Sequence, residues 1–156
     1  TTSNLLAKYL AEDGYNCTVI SLDDYYFDAE TIQRKQIEMG LVPEGSTEFD
    51  YETIDAIDVE FFRQQMKDYT LGKSIELPKF DFSIGKRVKG DKVIESTHKD
   101  IIILEGIHAF HPILTEGLKF DTSIRIYTCF CTNLCCTYST DTVDISQTDF
   151  YTFVSW

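Results

Sequence analysis

The sequence predicts an α/β fold built on a doubly wound parallel sheet. Three observations carry the prediction. An amphipathic stretch at residues 1–12 runs past Gly14 into a short β-branched segment, Cys17-Thr18-Val19-Ile20-Ser21-Leu22, which is half of an α/β repeat. A second run, Ile101-Ile102-Ile103-Leu104, is the most apolar in the chain, and continuous apolar runs belong to parallel strands buried on both faces. Both runs end in acid, Asp23-Asp24 and Glu105, and open α/β sheets bind ligands outside the carboxyl ends of their strands.

The elements follow in order. In the first helix Leu5, Leu6, Tyr9 and Leu10 are expected on one face. Residues 27–52 are polar and broken by Gly40, Pro43 and Gly45, which predicts a mobile, partly helical segment. Residues 54–70 predict a second helix, with Val59, Phe62, Met66 and Tyr69 as an apolar stripe and Ile57 and Phe61 beside it. Residues 74–95 alternate as a hairpin, with the tight turn expected at Lys89-Gly90-Asp91-Lys92. Ser123 to Tyr127 reads as a further strand. The two acid-ended strands thus bracket an insertion of roughly 80 residues, far longer than an ordinary crossover. The expectation is a substrate-binding lid or subdomain.

Composition narrows the function. The 156 residues are 43% hydrophobic and 26% charged, which is ordinary for one globular domain. No apolar run approaches the roughly 20 residues that span a bilayer. The first residues carry no secretion leader, so a cytoplasmic protein is expected. The formal net charge of −12 repels nucleic acid and anionic membrane, which argues against both as partners. The five cysteines, Cys17, Cys129, Cys131, Cys135 and Cys136, read as reduced thiols. Their C-x-C and C-C spacing lacks the paired C-x2-C of a zinc site.

The residues that carry chemistry match part of a phosphoryl-transfer site. Such a site needs a glycine loop and a lysine for phosphates, a hydroxyl and an acid for Mg2+, a base for the accepting hydroxyl, and cations. Glu105 fits the acid that holds Mg2+ or its water, and Asp23 fits the base. Thr1 and Thr2, opening a helix, fit the residues just after G-K in G-x4-G-K-[ST]. The glycines and lysine themselves are expected before Thr1.

Several blocks stand in a fixed order: Thr1-Thr2, Val19 to Tyr26, Phe49-Asp50, Asp55-Ala56, Leu77-Pro78-Lys79-Phe80-Asp81-Phe82 and Ile101 to Phe110. The set resembles the uridine kinase and phosphoribulokinase family of P-loop kinases, in particular a bacterial branch of uridine kinase-like nucleoside kinases. The resemblance covers residues 1–127 and implies a P-loop NTPase-type sheet with an inserted β-hairpin or lid. It implies transfer of the γ-phosphoryl group of ATP, with Mg2+, to the 5'-hydroxyl of a nucleoside such as uridine. By that resemblance Asp23 matches the catalytic base and Tyr26 a tyrosine lining the nucleoside site. Asp50 matches the aspartate on the ribose hydroxyls, Phe80 an aromatic at the base, and Arg87 a basic residue nearby. Glu105 matches the acid near Mg2+. Thr1 or Thr2 matches the Mg2+-binding hydroxyl beside the nucleotide.

Two departures qualify the resemblance. Gly85 stands where pyrimidine-binding members carry a histidine, which removes a hydrogen-bond partner from the base edge. Residues 128–156 contain no lysine or arginine, where the family carries an arginine-rich lid helix. They are expected to be an aberrant, out-of-frame tail, or else a genuine divergent end whose Phe150-Tyr151-Thr152-Phe153-Val154 alternation forms edge strands. As written, the chain is expected to be inactive. Two other readings stay open: a kinase of the same superfamily acting on a sugar phosphate or pantothenate, and a non-catalytic nucleotide-binding or regulatory domain of a larger protein. Whether the chain forms a homo-oligomer or is joined to further domains stays open as well. Several residues have plainer expectations. His108 and His111 pack or cap at the turn after the second strand, His98 is solvated, and Asp24 orients Tyr25 or caps a helix. Lys86, Arg87 and Lys89 either reach a phosphate or form a solvated hairpin face.

Overall fold

A computed structural model describes residues 2–97, 100–116, 118, 122–128 and 149–155. Thr1, His98, most of the tail from residue 129 onward and four of the five cysteines lie outside the described residues.

Helix α1 (Thr2–Glu12) is followed by strand β1 (Asn16–Ser21). The helix turns a different face inward from the one expected. Ser3 is buried and Leu6, Ala7 and Leu10 pack on the sheet, while Leu5 and Tyr9 are 52% and 58% exposed. A stripe through positions 3, 6, 7 and 10 follows the helical repeat, and positions 5 and 9 sit one residue, about 100°, around the cylinder.

A single-turn helix at Leu22–Tyr25 leads to α2 (Ala29–Glu38), a regular helix inside the segment read as partly helical. Helix α3 (Val59–Thr70) starts later than residue 54. Asp58 is its N-cap, with Oδ1 accepting from the Phe61 amide at 3.2 Å, and a carboxylate there satisfies an otherwise unpaired donor. Ile57 is extended and bridges to Tyr26. Phe62, Met66 and Tyr69 are buried as the stripe predicts.

Four short strands form the hairpin: β2 (Ile75–Glu76), β3 (Lys79–Asp81), β4 (Lys86–Val88) and β5 (Val93–Ile94). Strand β3 pairs with β4 and β2 with β5, both antiparallel. The tight turn therefore lies at residues 82–85, not at Lys89–Lys92. Asp81 decides this: its Oδ1 accepts from the Ser83 amide at 2.9 Å and from the Ser83 hydroxyl at 2.5 Å, a side-chain substitute for a backbone turn.

Strand β6 (Asp100–Glu105), the short helix α4 (Pro112–Thr115), β7 (Thr122–Thr128) and β8 (Asp149–Ser155) complete the fold. The sheet order is β1-β6-β8-β7, all parallel. The strand expected at Ser123–Tyr127 lies within β7. The Phe150–Val154 alternation does form a strand, but between β6 and β7 rather than at an edge. Its β-branched and aromatic residues suit a strand paired on both sides.

Both faces of β6 are covered. Ile101 and Ile103 face α1 and pack with Leu6, Ala7, Leu10 and Val19. Ile102 and Leu104 face the other way, into a core with Ile20, Leu22, Phe62, Met66 and Leu114. The period of two along the strand divides one apolar run between two cores. Cys17 is a free thiol whose pKa burial pushes up, as suits an unreactive packed cysteine. No helix among the described residues is long and apolar enough to cross a membrane.

Candidate active site

The parallel register sets Ser21 of β1 opposite Glu105 of β6, so the acids that follow emerge side by side. Gly106 comes next, with φ of 143°, and a Cβ there would stand 3.0 Å from Leu22 Cβ. The chain after β6 is thus pressed against the chain after β1, immediately before Asp23. The Ser3 hydroxyl donates to Glu105 Oε2, fastening the first turn of α1 to the same strand end. Thr2 opens α1 and is exposed. Sequence reasoning passed over Ser3. Its signal was a hydroxyl on the face shared by Leu6 and Leu10.

Past Asp23 the chain builds an aromatic wall. Tyr26 is 5% exposed, and its ring lies 5.0 Å from Tyr51 and 5.7 Å from Phe80. Tyr51 stands 5.0 Å from Phe49 and 5.9 Å from both Phe80 and Phe82, and Phe80 and Phe82 are 4.9 Å apart. These tilted and edge-on arrangements are the favoured ones for aromatic pairs. The Tyr26 hydroxyl is hydrogen-bonded to Asp23. Burial, and then the Asp23 charge, push the Tyr26 pKa up, so the phenol keeps its proton and donates it to the carboxylate.

Asp50 sits between two members of the wall and is held through its backbone. Gln36, on α2 and 1% exposed, accepts from the Asp50 amide at 2.8 Å. Its Nε2 donates to the Asp50 carbonyl at 2.6 Å and to Thr53 Oγ1 at 3.1 Å. The Asp50 carboxylate stays exposed, with Oδ1 accepting from the Glu52 amide at 2.7 Å. Gln36 is another residue that the sequence pattern did not single out, although a glutamine one turn after Ile32 on a buried face was a signal.

The hairpin is tied down at three points. Asp24 Oδ1 accepts from the Phe80 amide at 3.0 Å. This replaces both expected roles of Asp24, since the Tyr25 hydroxyl is oriented by Gln65 Oε1 at 2.8 Å. Burial raises the Asp24 pKa, with the neighbouring Asp23 adding to it and the Phe80 amide opposing. Asp28 Oδ1 accepts from the Arg87 amide at 2.9 Å, and the Ala29 amide donates to the Gly85 carbonyl at 2.8 Å. Gly85 has φ of 63°, and a Cβ there would meet Ala29 Cβ at 2.9 Å. The position where the resemblance implies a histidine is therefore packed against α2 with no room for a side chain.

The structure thus brings Asp23, Tyr26 and Phe80 together, with Asp50 beside the same wall and Glu105 on the adjacent strand end. Arg87 is engaged elsewhere. Its guanidinium pairs with Asp58 Oδ2 at 3.0 Å and lies 4.6 Å from the Phe61 ring centre. Lys89 pairs with Glu76 at 3.1 Å and is 82% exposed, and Lys86 is exposed, so neither faces the wall. His111 caps α4, its Nδ1 accepting from the Ile113 amide at 3.3 Å.

No group of three or more His, Cys, Asp or Glu side chains among the described residues is placed to hold a metal ion. Magnesium in phosphoryl-transfer sites needs less, since it takes one or two carboxylates and fills its shell with phosphates and water. The hard oxygens of Glu105 and of the hydroxyls at the start of α1 fit that requirement.

Known proteins resemble this chain in sequence. A profile of the Phosphoribulokinase / Uridine kinase family matches residues 3–137. The uridine kinase of Macrococcus caseolyticus (strain JCSC5402) is 32% identical over 115 residues, 74% of this chain and 49% of that protein. The uridine kinase of Staphylococcus aureus (strain JH9) is 28% identical over 127 residues, 81% of this chain and 54% of its own. The chain therefore spans about half the length of these curated relatives. Among solved structures, D-glycerate 3-kinase from Cryptococcus neoformans var. grubii superposes with a TM-score of 0.47 at 18% identity, over 69% of this chain and 39% of that one. With the family profile running from the first turn of α1 past the end of β7, the chain belongs to the phosphoribulokinase and uridine kinase family.

Proposed function

We propose that the protein transfers the γ-phosphoryl group of ATP to a hydroxyl of a small acceptor, a nucleoside such as uridine. The observation that carries this reading is Asp23, which stands at the end of a buried parallel strand, hydrogen-bonded to Tyr26 at the foot of an aromatic wall. Asp23 is the base that takes the proton of the attacking hydroxyl. The faces of Tyr26 and Phe80 hold the acceptor's base, and Asp50 binds its ribose hydroxyls. Arg87, paired with Asp58, braces the hairpin strand opposite Phe80 rather than touching the acceptor. Glu105, with a hydroxyl from Thr1 or Thr2, would hold Mg2+ beside the nucleotide. When bound, Mg2+ supplies charge compensation across the phosphates.

Gly85 favours a second reading. With no side chain at that position, the wall offers ring faces but no partner there for a base edge, and selectivity among bases rests on such partners. An acceptor such as a sugar phosphate or pantothenate would not require one.

The test is ADP release by the protein encoded by the full gene, with ATP and uridine, cytidine, ribulose 5-phosphate or pantothenate in turn. Uridine- or cytidine-dependent turnover, reduced at least about a hundredfold by Asp23→Asn, supports the proposal. Turnover only with a non-nucleoside acceptor selects the second reading. Turnover unchanged by Asp23→Asn removes Asp23 as the base.

A further inference from the structure

The turn after β6 carries a group that none of these roles uses. His108 lies three residues beyond Glu105 and is half-buried. Its Nε2 is fully buried, with no hydrogen-bond partner among the described residues. Buried polar atoms are nearly always paired, so an orphan of this kind calls for a cause.

Its surroundings point to one. The backbone of Glu52, in the loop that presents Asp50, lies beside the ring. The carboxylates of Asp23 and Asp50 are close enough to favour a charged ring. Burial outweighs them, with His111 adding to it, and holds the pKa below the usual histidine value. The imidazole is therefore neutral at pH 7, with one donor nitrogen and one acceptor. With Nε2 unpaired, the tautomer protonated at Nδ1 presents Nε2 as a lone-pair acceptor. Asp23 and Asp50, when ionised, also only accept. Nε2, which has no donor, thus stands near two carboxylates from separate segments that have lone pairs to spare, and a ligand rich in hydroxyl groups can donate to all three.

We propose that His108 binds the acceptor substrate, its Nε2 accepting a hydrogen bond from a hydroxyl of the sugar or polyol part. The proposal rests on the reading of this site as the place where a small alcohol is phosphorylated. It adds a contact that compensates on the sugar side for the base-edge partner missing at Gly85.

Calorimetric titration of the full-length protein tests it, with uridine, 2'-deoxyuridine, 3'-deoxyuridine and ribulose 5-phosphate as probes. Wild type is compared with His108→Phe, which has no acceptor, and His108→Gln, which keeps one near the Nε2 position. The expected result is uridine binding about fivefold or more weaker in His108→Phe and close to wild type in His108→Gln. One deoxy analogue should bind wild type and His108→Phe alike. Equal uridine affinity in wild type and His108→Phe overturns the proposal, as does an equal loss for every probe. If only ribulose 5-phosphate binds and shows the same His108 dependence, the His108 assignment stands and the nucleoside reading fails. If wild type binds none of the probes, the assignment falls. The nitrogen chemical shift of the wild-type His108 ring needs no variant. It should move with uridine and stay in place with the analogue lacking the donor, and no movement with any probe that binds overturns the proposal.

Discussion

Replacing Gln36 with leucine should loosen the loop that presents Asp50 while leaving the sheet intact. The side chain is 1% exposed and makes three hydrogen bonds, at 2.6, 2.8 and 3.1 Å, to Asp50 and Thr53. Leucine fills similar space, so the cavity contribution is small and the loss is one of hydrogen bonding. Each bond contributes about 1 kcal/mol net, which gives a destabilisation of about 3 kcal/mol. That is a large share of the roughly 5–15 kcal/mol that holds a domain together. Gln36→Glu keeps the acceptor for the Asp50 amide, and the Thr53 hydroxyl can turn to donate to it, but the bond to the Asp50 carbonyl becomes an acceptor–acceptor contact with a buried charge beside it, so this variant should also be destabilised. Urea unfolding measures the total, and amide hydrogen exchange locates it. The Asp50 amide should lose at least about tenfold in protection while the amides of β1 and β6 change only with global stability. A loss below about 1 kcal/mol, with Asp50 exchange unchanged, would refute the reasoning. It would mean that Phe49 and Tyr51 hold the loop by packing alone.

Two further outcomes follow from the same contacts. Asp100 is 1% exposed and accepts from Asn16 Nδ2 at 2.7 Å, from Thr97 and from the Tyr69 hydroxyl. Burial raises its pKa, but these hydrogen bonds together outweigh it and hold the carboxyl below the usual range. A depressed folded-state pKa stabilises above the unfolded value, and that stability is lost as pH falls through the folded one. Asp100→Asn should therefore cost about 2 kcal/mol at pH 7, with the deficit shrinking at about pH 3; urea midpoints at both pH values check this, and a pH-independent deficit refutes it. Gly85→Ala, with φ of 63° and Ala29 Cβ at 2.9 Å, should lower stability by about 1–2 kcal/mol. Scanning calorimetry should show the steric part, not the backbone part, recovered by adding Ala29→Gly.

The frame of the molecule was legible because its signals are local. Ile101 to Leu104 reads as a buried strand without reference to anything else, and Asp23 and Glu105 are informative because they end such strands. Other features depend on partners distant in sequence. The Ser3–Glu105 contact spans 102 residues and Asp24 reaches Phe80 across 56, so no window of periodicity reveals either. Gln36 and His108 looked like ordinary polar residues because their meaning lies in what surrounds them. The hairpin turn was misplaced for a related reason. Gly90-Asp91 has turn chemistry, but Asp81 and Gly85 have it too, and the Asp81 bonds to Ser83 together with the packing of Gly85 on α2 decide between them. The α1 face was misjudged because four apolar residues at positions 5, 6, 9 and 10 define two overlapping stripes, and burial of the Ser3 hydroxyl selects one.

Gly106 resting on Leu22 acts as a fixed gauge. The distance between the two strand-end acids is set where the Gly106 backbone meets the Leu22 side chain, with no side chain at 106 to act as a spacer. Substitutions in the aromatic wall can alter what fits in front of Asp23 without resetting that gap. The converse also holds: any side chain at 106 has to displace Leu22, and the misfit would reach both acids at once.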